Sequence, residues 1–422
     1  MIKLFYKLKN DPRIRNSLWM LIEKAISLFG LIFIISAVAK YTGPTIYGEI
    51  ALAASIFVVL KTISQLGLDQ IYFKYVSQGK SYHYLFLKNA IKLISIIFIF
   101  MSLIIISISY FYASSIGFYF IIASSIAYFF NSIDLLNAYY EGALLSKINV
   151  ISNVIGLLIS LLVRWLIVFF ELNYIYICFP IILMTLIPFI IKFMIYFKNF
   201  KKFSKERKIN DKKYYYYFLY SGIPLMLAII TAIINGQVAN FLLGYIENTK
   251  SVGIYSIAFM LAGAWCILPT TLIMSYMTSI YNINNSDYES YLALSSKIFK
   301  NVFFISLLIV TILFFSAPYL ISWLYGGDYF RSIEVFRYLL FFQFIWVINF
   351  FFSRIIIKFN GYSFLAKKSI FCCLLNAIAC YFLILDFSIL GAALALIITE
   401  ITSLFINFIY RKARLEQLIF TG

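Results

Sequence analysis

The sequence predicts an all-α integral membrane protein: twelve transmembrane helices in two six-helix bundles, with both termini cytoplasmic. Three observations carry that prediction. The 422 residues are 63% hydrophobic and only 12% charged, far more apolar than a soluble domain. The apolar residues gather into twelve stretches long enough to cross a bilayer, for which roughly 20 residues suffice. The basic residues collect on alternate connections between those stretches.

In chain order the spans are read at Ser17–Ala39, Tyr47–Leu68, Ile91–Tyr112, Ile116–Ala138, Ile148–Phe170 and Ile175–Phe197, then at Tyr216–Tyr245, Val252–Ser279, Ile298–Tyr325, Ile333–Ile357, Ser369–Leu385 and Ile389–Tyr410. With the N-terminus placed inside, 28 of the 35 Lys and Arg residues fall on the cytoplasmic side. They lie on the N-terminal arm, on the tail and on every second connection. Lys192 is counted here with the flank of the connection after span 6, and Lys368 with the connection after span 10. Lys40, Lys250, Arg331 and Arg337 fall on the opposite side, and Lys24, Lys61 and Arg164 fall inside spans. Such an imbalance orients a chain by the positive-inside rule. The formal charge of +18 is explained by orientation and by contact with anionic headgroups, so no nucleic-acid partner is expected. The basic arm is not followed by a short apolar run with a small-residue cleavage site, so it does not read as a signal peptide.

The longest polar interruption, Lys198–Lys213, divides the chain. Residues 1–197 are expected to form an N-terminal six-helix bundle, 198–213 a basic cytoplasmic linker and 214–422 a C-terminal six-helix bundle. Weak internal similarity supports a parallel repeat. Tyr41–Gly48 precedes span 2 and Tyr245–Gly253 precedes span 8, each ending in a Gly taken to open the next helix. Gly142–Lys147 and Gly361–Lys367 precede spans 5 and 11. Two parallel halves are a common transporter plan. Gly222 and Pro224 near the start of span 7 and Pro269 in span 8 are candidate hinge or gating residues. A proline in a membrane helix frees a carbonyl and can kink the helix, so a static packing kink is the competing reading.

No enzyme signature is present: the chain has no P-loop, no Gly-x-Ser-x-Gly elbow and no paired carboxylates in a loop. The single histidine, His83, and five cysteines within spans argue against a metal centre or a disulfide framework, and no cofactor is expected. The outward connections are too short to hold the acceptor site of a polysaccharide polymerase.

Charges within spans are the candidate site. Each is costly near the bilayer centre and usually faces a partner or a wet cavity. Lys24 and Lys61 lie at about 10 Å depth by helical rise, and Arg164 lies deeper in span 5. Together they are candidates for a cationic cavity that meets a diphosphate, since Lys and Arg attract phosphate by charge and hydrogen bonding. Glu23, Asp69, Asp134 and Glu400 are candidates for ion coupling, with H⁺ or Na⁺, or for pairing with the cations. Simple ion pairs, such as Lys24 or Lys61 with Asp134 or Asp69, are the competing account, as is snorkelling of the two lysines. On the cationic-cavity reading, Lys61→Ala and Arg164→Ala abolish transport at normal expression.

Several stretches carry a family resemblance: Asn16-Ser-Leu-Trp-Met-Leu-Ile-Glu-Lys24, Tyr41-Thr-Gly-Pro with Tyr47-Gly48, Ser64-Gln-Leu-Gly-Leu-Asp69, and Ser221-Gly-Ile-Pro224. In these and in its span layout the chain resembles the O-antigen (Wzx-type) flippases of the multidrug/oligosaccharidyl-lipid/polysaccharide (MOP) exporter superfamily. The resemblance implies two bundles about a central cavity. It also implies movement of undecaprenyl-diphosphate-linked oligosaccharide, for lipopolysaccharide biosynthesis, from the cytoplasmic to the periplasmic leaflet of a bacterial inner membrane. It implies cations on span 1 or 2 for the diphosphate, matched by Lys24 and Lys61. An O-antigen polymerase and a chain-length regulator are the implied protein partners. A drug or cation exporter of the same superfamily, which should show several carboxylates in the N-terminal half, is the alternative. A membrane enzyme of glycan assembly and a structural membrane protein are further alternatives.

Overall fold

The computed structural model describes residues 30–78, 83–200, 211–284 and 287–420, together with Trp19, Glu23, Lys24, Ile26 and Ser27. Part of the first half of the first predicted span and the middle of the 198–213 linker lie outside the described residues. Every regular element described is helical, without a strand. Ten helices among the described residues are long and apolar enough to cross a membrane, or eleven if one bent pair is a single span. The protein is a multi-pass membrane protein, and the regular spacing of its apolar stretches is the reason: in hydrocarbon only a helix satisfies each backbone polar group within its own segment.

The chain divides into two compact units. One comprises residues 1–42 and 52–233, the other residues 43–51 and 234–422. In the first, a π-helical turn at Leu31–Ile35 leads into α1 (Ser36–Gln65), followed by α2 (Leu68–Ser77), α3 (His83–Tyr112), α4 (Ser115–Ile133), α5 (Leu136–Gly142), α6 (Ser146–Phe169) and α7 (Cys178–Phe200). Within α1, Gly43 departs from helical geometry at φ 71° and ψ 169°. Glycine tolerates that positive φ, and Pro44 restarts the helix in its first turn, where a missing N–H costs nothing. The break falls where the connection between spans 1 and 2 was expected.

The unit border falls at residue 233, within α8 (Asp211–Ile246). The second unit continues with α9 (Thr249–Ala264), α10 (Ile267–Asn282), α11 (Tyr288–Tyr325), α12 (Ser332–Lys358), α13 (Tyr362–Phe387), α14 (Ile389–Ile409) and α15 (Leu415–Phe420).

The core of the first unit is aromatic at the α2–α5 end. Tyr72, Phe86, Tyr140 and Phe218 are fully buried there among Leu, Ile and Ala. Tyr72 stacks on Phe86 at 4.9 Å between ring centroids, and Phe86 meets Phe218 edge-on at 4.8 Å. Phe218 belongs to the first part of α8, so that part of the helix packs into this unit. Many large apolar side chains on α3, α6 and α11 are exposed, among them Phe100, Leu162 and Phe315; such faces are what a lipid-exposed helix presents.

The motifs read as repeat markers do more than resemble each other. Within the second unit, Gly48 sits on the start of α9, where a Cβ would lie 1.7 Å from the Thr249 carbonyl oxygen. A Cβ on Gly253 would lie 2.0 Å from that of Pro44. Both glycines lie inside helices and neither opens one: Asn248 caps α9, its side chain accepting from the Ser251 N–H at 3.0 Å. The glycines permit a backbone-to-backbone approach.

The hinge candidates are placed as follows. α8 runs unbroken through Ser221–Pro224, and Pro224 leaves the Tyr220 carbonyl without its helical donor. A Cβ on Gly222 would lie 2.7 Å from the Leu66 carbonyl oxygen, so Gly222 is a close-approach residue. Pro269 lies in the first turn of α10, just after the junction at Trp265–Cys266 where α9 and α10 meet at 41°.

Candidate functional site in the N-terminal unit

Two helix breaks create the site. Between α1 and α2, Leu66 and Gly67 both take left-handed conformations, at φ 52° and 66°. Between α4 and α5, Asp134 leaves the helix at φ −77° and ψ 65°. The breaks are tied together by Gln65, whose side-chain amide donates to the Ser132 carbonyl at 2.9 Å. Polar side chains gather near each break: Lys61, Gln65, Asp69 and Gln70 at the first, and Asn131, Asp134, Asn137 and Glu141 at the second. With Glu23, Phe73, Ala138 and Asn153 they line a cavity of about 710 Å³. A smaller cavity of about 230 Å³ shares Glu23, Asn131, Asp134, Asn137 and Asn153 and adds Lys192.

Lys192 is the organising residue, and sequence reasoning missed it. It is fully buried in α7, not on the flank of a cytoplasmic connection. Its ammonium pairs with the Asp134 carboxylate through Oδ2. It also donates to Asn137 Oδ1 at 2.9 Å and Asn153 Oδ1 at 3.2 Å, so all three of its donors are used. Asn137 donates to Asp134 Oδ2 at 3.0 Å, and Asn153 donates to Glu23 Oε1 at 2.8 Å. Tyr140 donates its hydroxyl to the Lys192 carbonyl at 3.1 Å. One buried ammonium thus joins the end of α4 to α5, α6 and α7. A signal existed in the sequence: Lys192 lies five residues inside the predicted end of span 6, and a carboxylate inside span 4 calls for a cation.

The sequence candidates fare unequally. Lys61, Asp69, Asp134 and Glu23 come together around the cavity. Lys24 is exposed and does not line it. Arg164 is half-buried and also does not line it; it lies eleven residues beyond Asn153 on α6, about 16 Å along the helix axis. Asp134 pairs with Lys192 and not with Lys24 or Lys61. Among the described residues the side chains of Lys61, Asp69 and Glu141 make no hydrogen bond or ion pair, and Asp134 Oδ1 is buried without a hydrogen-bond partner. Across the two cavities, four carboxylates (Glu23, Asp69, Asp134, Glu141) face two ammonium groups (Lys61, Lys192). The expected trio of cations around one cavity is therefore not what lines it.

Glu400 lies in the second unit with a polar chain of its own. Asn349, almost fully buried, donates to the Glu400 carboxylate and, at 2.8 Å, to its carbonyl. Asn407 donates to Asn349 Oδ1 at 2.8 Å, and Lys368 donates to Asn407 Oδ1 at 2.8 Å. Lys368, counted from sequence with a cytoplasmic connection, is thereby tied to α14.

The fold is shared with solved transporters. The chain is similar to the lipid II flippase MurJ in an inward closed conformation, with a TM-score of 0.66 and 18% identity over 96% of this chain and 91% of that one. It is similar to an inward-facing multidrug resistance MATE family transporter of the MOP superfamily, with a TM-score of 0.59 and 15% identity over 96% of each chain. A MOP superfamily transporter from Pyrococcus furiosus, described as having a binding pocket of reversed polarity, gives a TM-score of 0.55 and 16% identity over 97% of each chain. No curated protein matches the chain in sequence. Residues 14–281, more than half of the chain, match the family described as polysaccharide biosynthesis protein, and the chain belongs to that family, on the fold of the MOP superfamily.

Proposed function

We propose that the protein is a membrane transporter and not an enzyme: a flippase that carries undecaprenyl-diphosphate-linked O-antigen repeat units from the cytoplasmic to the periplasmic leaflet of a bacterial inner membrane. Membership of a polysaccharide biosynthesis family on a transporter fold carries this reading. The polar cavity within the apolar first unit supports it, since a hydrophilic cargo must be screened from hydrocarbon. With the N-terminus inside, that cavity lies at the cytoplasmic ends of the spans, where such a cargo is loaded. Alternating access between the two units moves the cargo, and the polymerase and chain-length regulator of the pathway receive it.

The test is to delete the gene and locate the lipid-linked repeat unit by leaflet. Repeat units held on the cytoplasmic leaflet, released by the wild-type gene and not by Lys61→Ala, are the expected result. Repeat units that reach the outer leaflet unpolymerised would replace the flippase with a polymerase-like role.

We propose Glu400, the carboxylate that accepts from Asn349, as the group for ion coupling by H⁺ or Na⁺. Glu400→Gln keeps the size and an acceptor for Asn349, so folded yield is expected to stay at the wild-type level while flipping loses its dependence on the ion gradient. Gradient-driven flipping that persists in this variant would remove Glu400 from the coupling.

One observation favours a second reading. Four carboxylates around the first unit's cavities are what an exporter of organic cations would need, and dye efflux from cells expressing the protein distinguishes it.

A further inference from the structure

We infer that the larger cavity of the first unit is a carbohydrate subsite, built for the hydroxyl-rich sugars of the cargo and not for its diphosphate. The inference rests on the flippase reading.

The charge balance argues first. A diphosphate entering this cavity would meet Glu23, Asp69, Asp134 and Glu141, with Lys61 as the one ammonium on the lining. Like charges held close in a poorly solvated site repel strongly. Lys192 offers no relief, since its three donors are already committed to Asp134, Asn137 and Asn153.

The chemistry of the lining argues second. A sugar presents hydroxyls that both donate and accept, and it is uncharged. Carboxylates accept from hydroxyls in short, strong hydrogen bonds, and side-chain amides offer donor and acceptor together. The carboxylates of Asp69 and Glu141 make no hydrogen bond or ion pair among the described residues. Asp134 is 8% exposed, yet its Oδ1 has no hydrogen-bond partner. Buried polar atoms are ordinarily satisfied, so an unused acceptor at a cavity wall marks where a donor belongs. Gln70 and Asn131 supply amides beside these carboxylates. Phe73, 43% exposed, gives the lining an apolar ring face, on which the C–H face of a pyranose can lie.

The geometry argues third. The carboxylates stand on breaks in α1–α2 and α4–α5 that Gln65 ties together, and the Lys192 network fixes the second break. The acceptors' positions are therefore set before cargo arrives, as a specificity site requires.

The test uses full-length protein in nanodiscs and two probes: undecaprenyl diphosphate, and the same lipid carrying the repeat unit extracted from the producing strain. Wild type is expected to bind the glycosylated lipid more tightly. Asp69→Asn and Glu141→Gln, which keep shape and leave the Lys192 network intact, are each expected to weaken the glycosylated lipid by about tenfold while leaving the bare lipid unchanged or slightly tighter. If both variants retain the wild-type preference for the glycosylated lipid, the subsite is overturned while the flippase reading stands. If wild type binds neither lipid but binds tetraphenylphosphonium through the same carboxylates, the flippase reading itself fails and the subsite falls with it. Melting temperatures equal to wild type show that the variants are folded, and a third variant, Gln70→Ala on the exposed surface of α2, repeats the comparison without touching a carboxylate.

Discussion

Lys192→Met is expected to unfold much of the protein population at temperatures that wild type survives. The change keeps the length and apolar stem of the side chain and deletes only the ammonium. Asp134 would then be a buried carboxylate facing Asn137 alone, with both cavities' remaining carboxylates nearby. Removing one partner of a buried pair costs about 3–5 kcal/mol, because the other charge is left uncompensated. Replacing both partners is much milder, so the double variant Lys192→Met with Asp134→Asn should recover most of the loss. Thermal unfolding of the detergent-solubilised protein measures both. A single variant that melts with wild type would show that water or another cation already compensates Asp134.

Gly48→Ala and Gly253→Ala are expected to be as damaging by a different cause. At these positions an added methyl meets backbone, with Cβ-to-carbonyl distances of 1.7 and 2.0 Å. A flexible side chain could move aside, but the carbonyls of Thr249 and Pro44 belong to helices and cannot shift alone. Overpacking of a core ordinarily costs about 1–3 kcal/mol and more where relaxation is blocked, so at least about 3 kcal/mol is expected at each site. Gly236→Ala is the internal control: nothing lies within 4 Å of a Cβ there, and exchanging Gly for Ala inside a helix is favourable by about 0.5–1 kcal/mol. Gel filtration after mild heating reads the result, with the two tight glycines giving aggregate and Gly236→Ala giving a wild-type peak. Monodisperse Gly48→Ala would mean that α1 and α9 can separate without loss of the fold.

The candidate site shows how far charge position along a chain can be carried. Glu23, Lys61 and Asp134 were legible because a charge inside an apolar stretch is rare and costly, and Asp69 because it stands at the inner end of span 2. Which cation serves which carboxylate was not legible. Lys192 and Asp134 are 58 positions apart, and nothing in local pattern distinguishes Lys192 from a lysine that snorkels out of a span end. Arg164 and Lys24 show the same limit from the other side. They satisfy the same rule as Lys61, yet Lys24 is exposed, and Arg164 lies about 16 Å along α6 from the cavity residue Asn153.

The sequence by itself determined the helical, membrane-spanning character of this protein, because the absence of water in the bilayer core leaves an apolar stretch of that length a single satisfactory backbone state. It also located the break before span 2, where Gly43 and Pro44 leave the backbone little choice. Tertiary structure alone decided that Gly48 and Gly253 serve close packing and that Gly222 lies against Leu66. It alone decided that Lys192 is a buried anchor, and that the cavity of the first unit is lined by carboxylates and amides more than by cations. Those features depend on helix rotation and on contacts between residues far apart in the chain, which the order of residues constrains only through the packing of the whole unit.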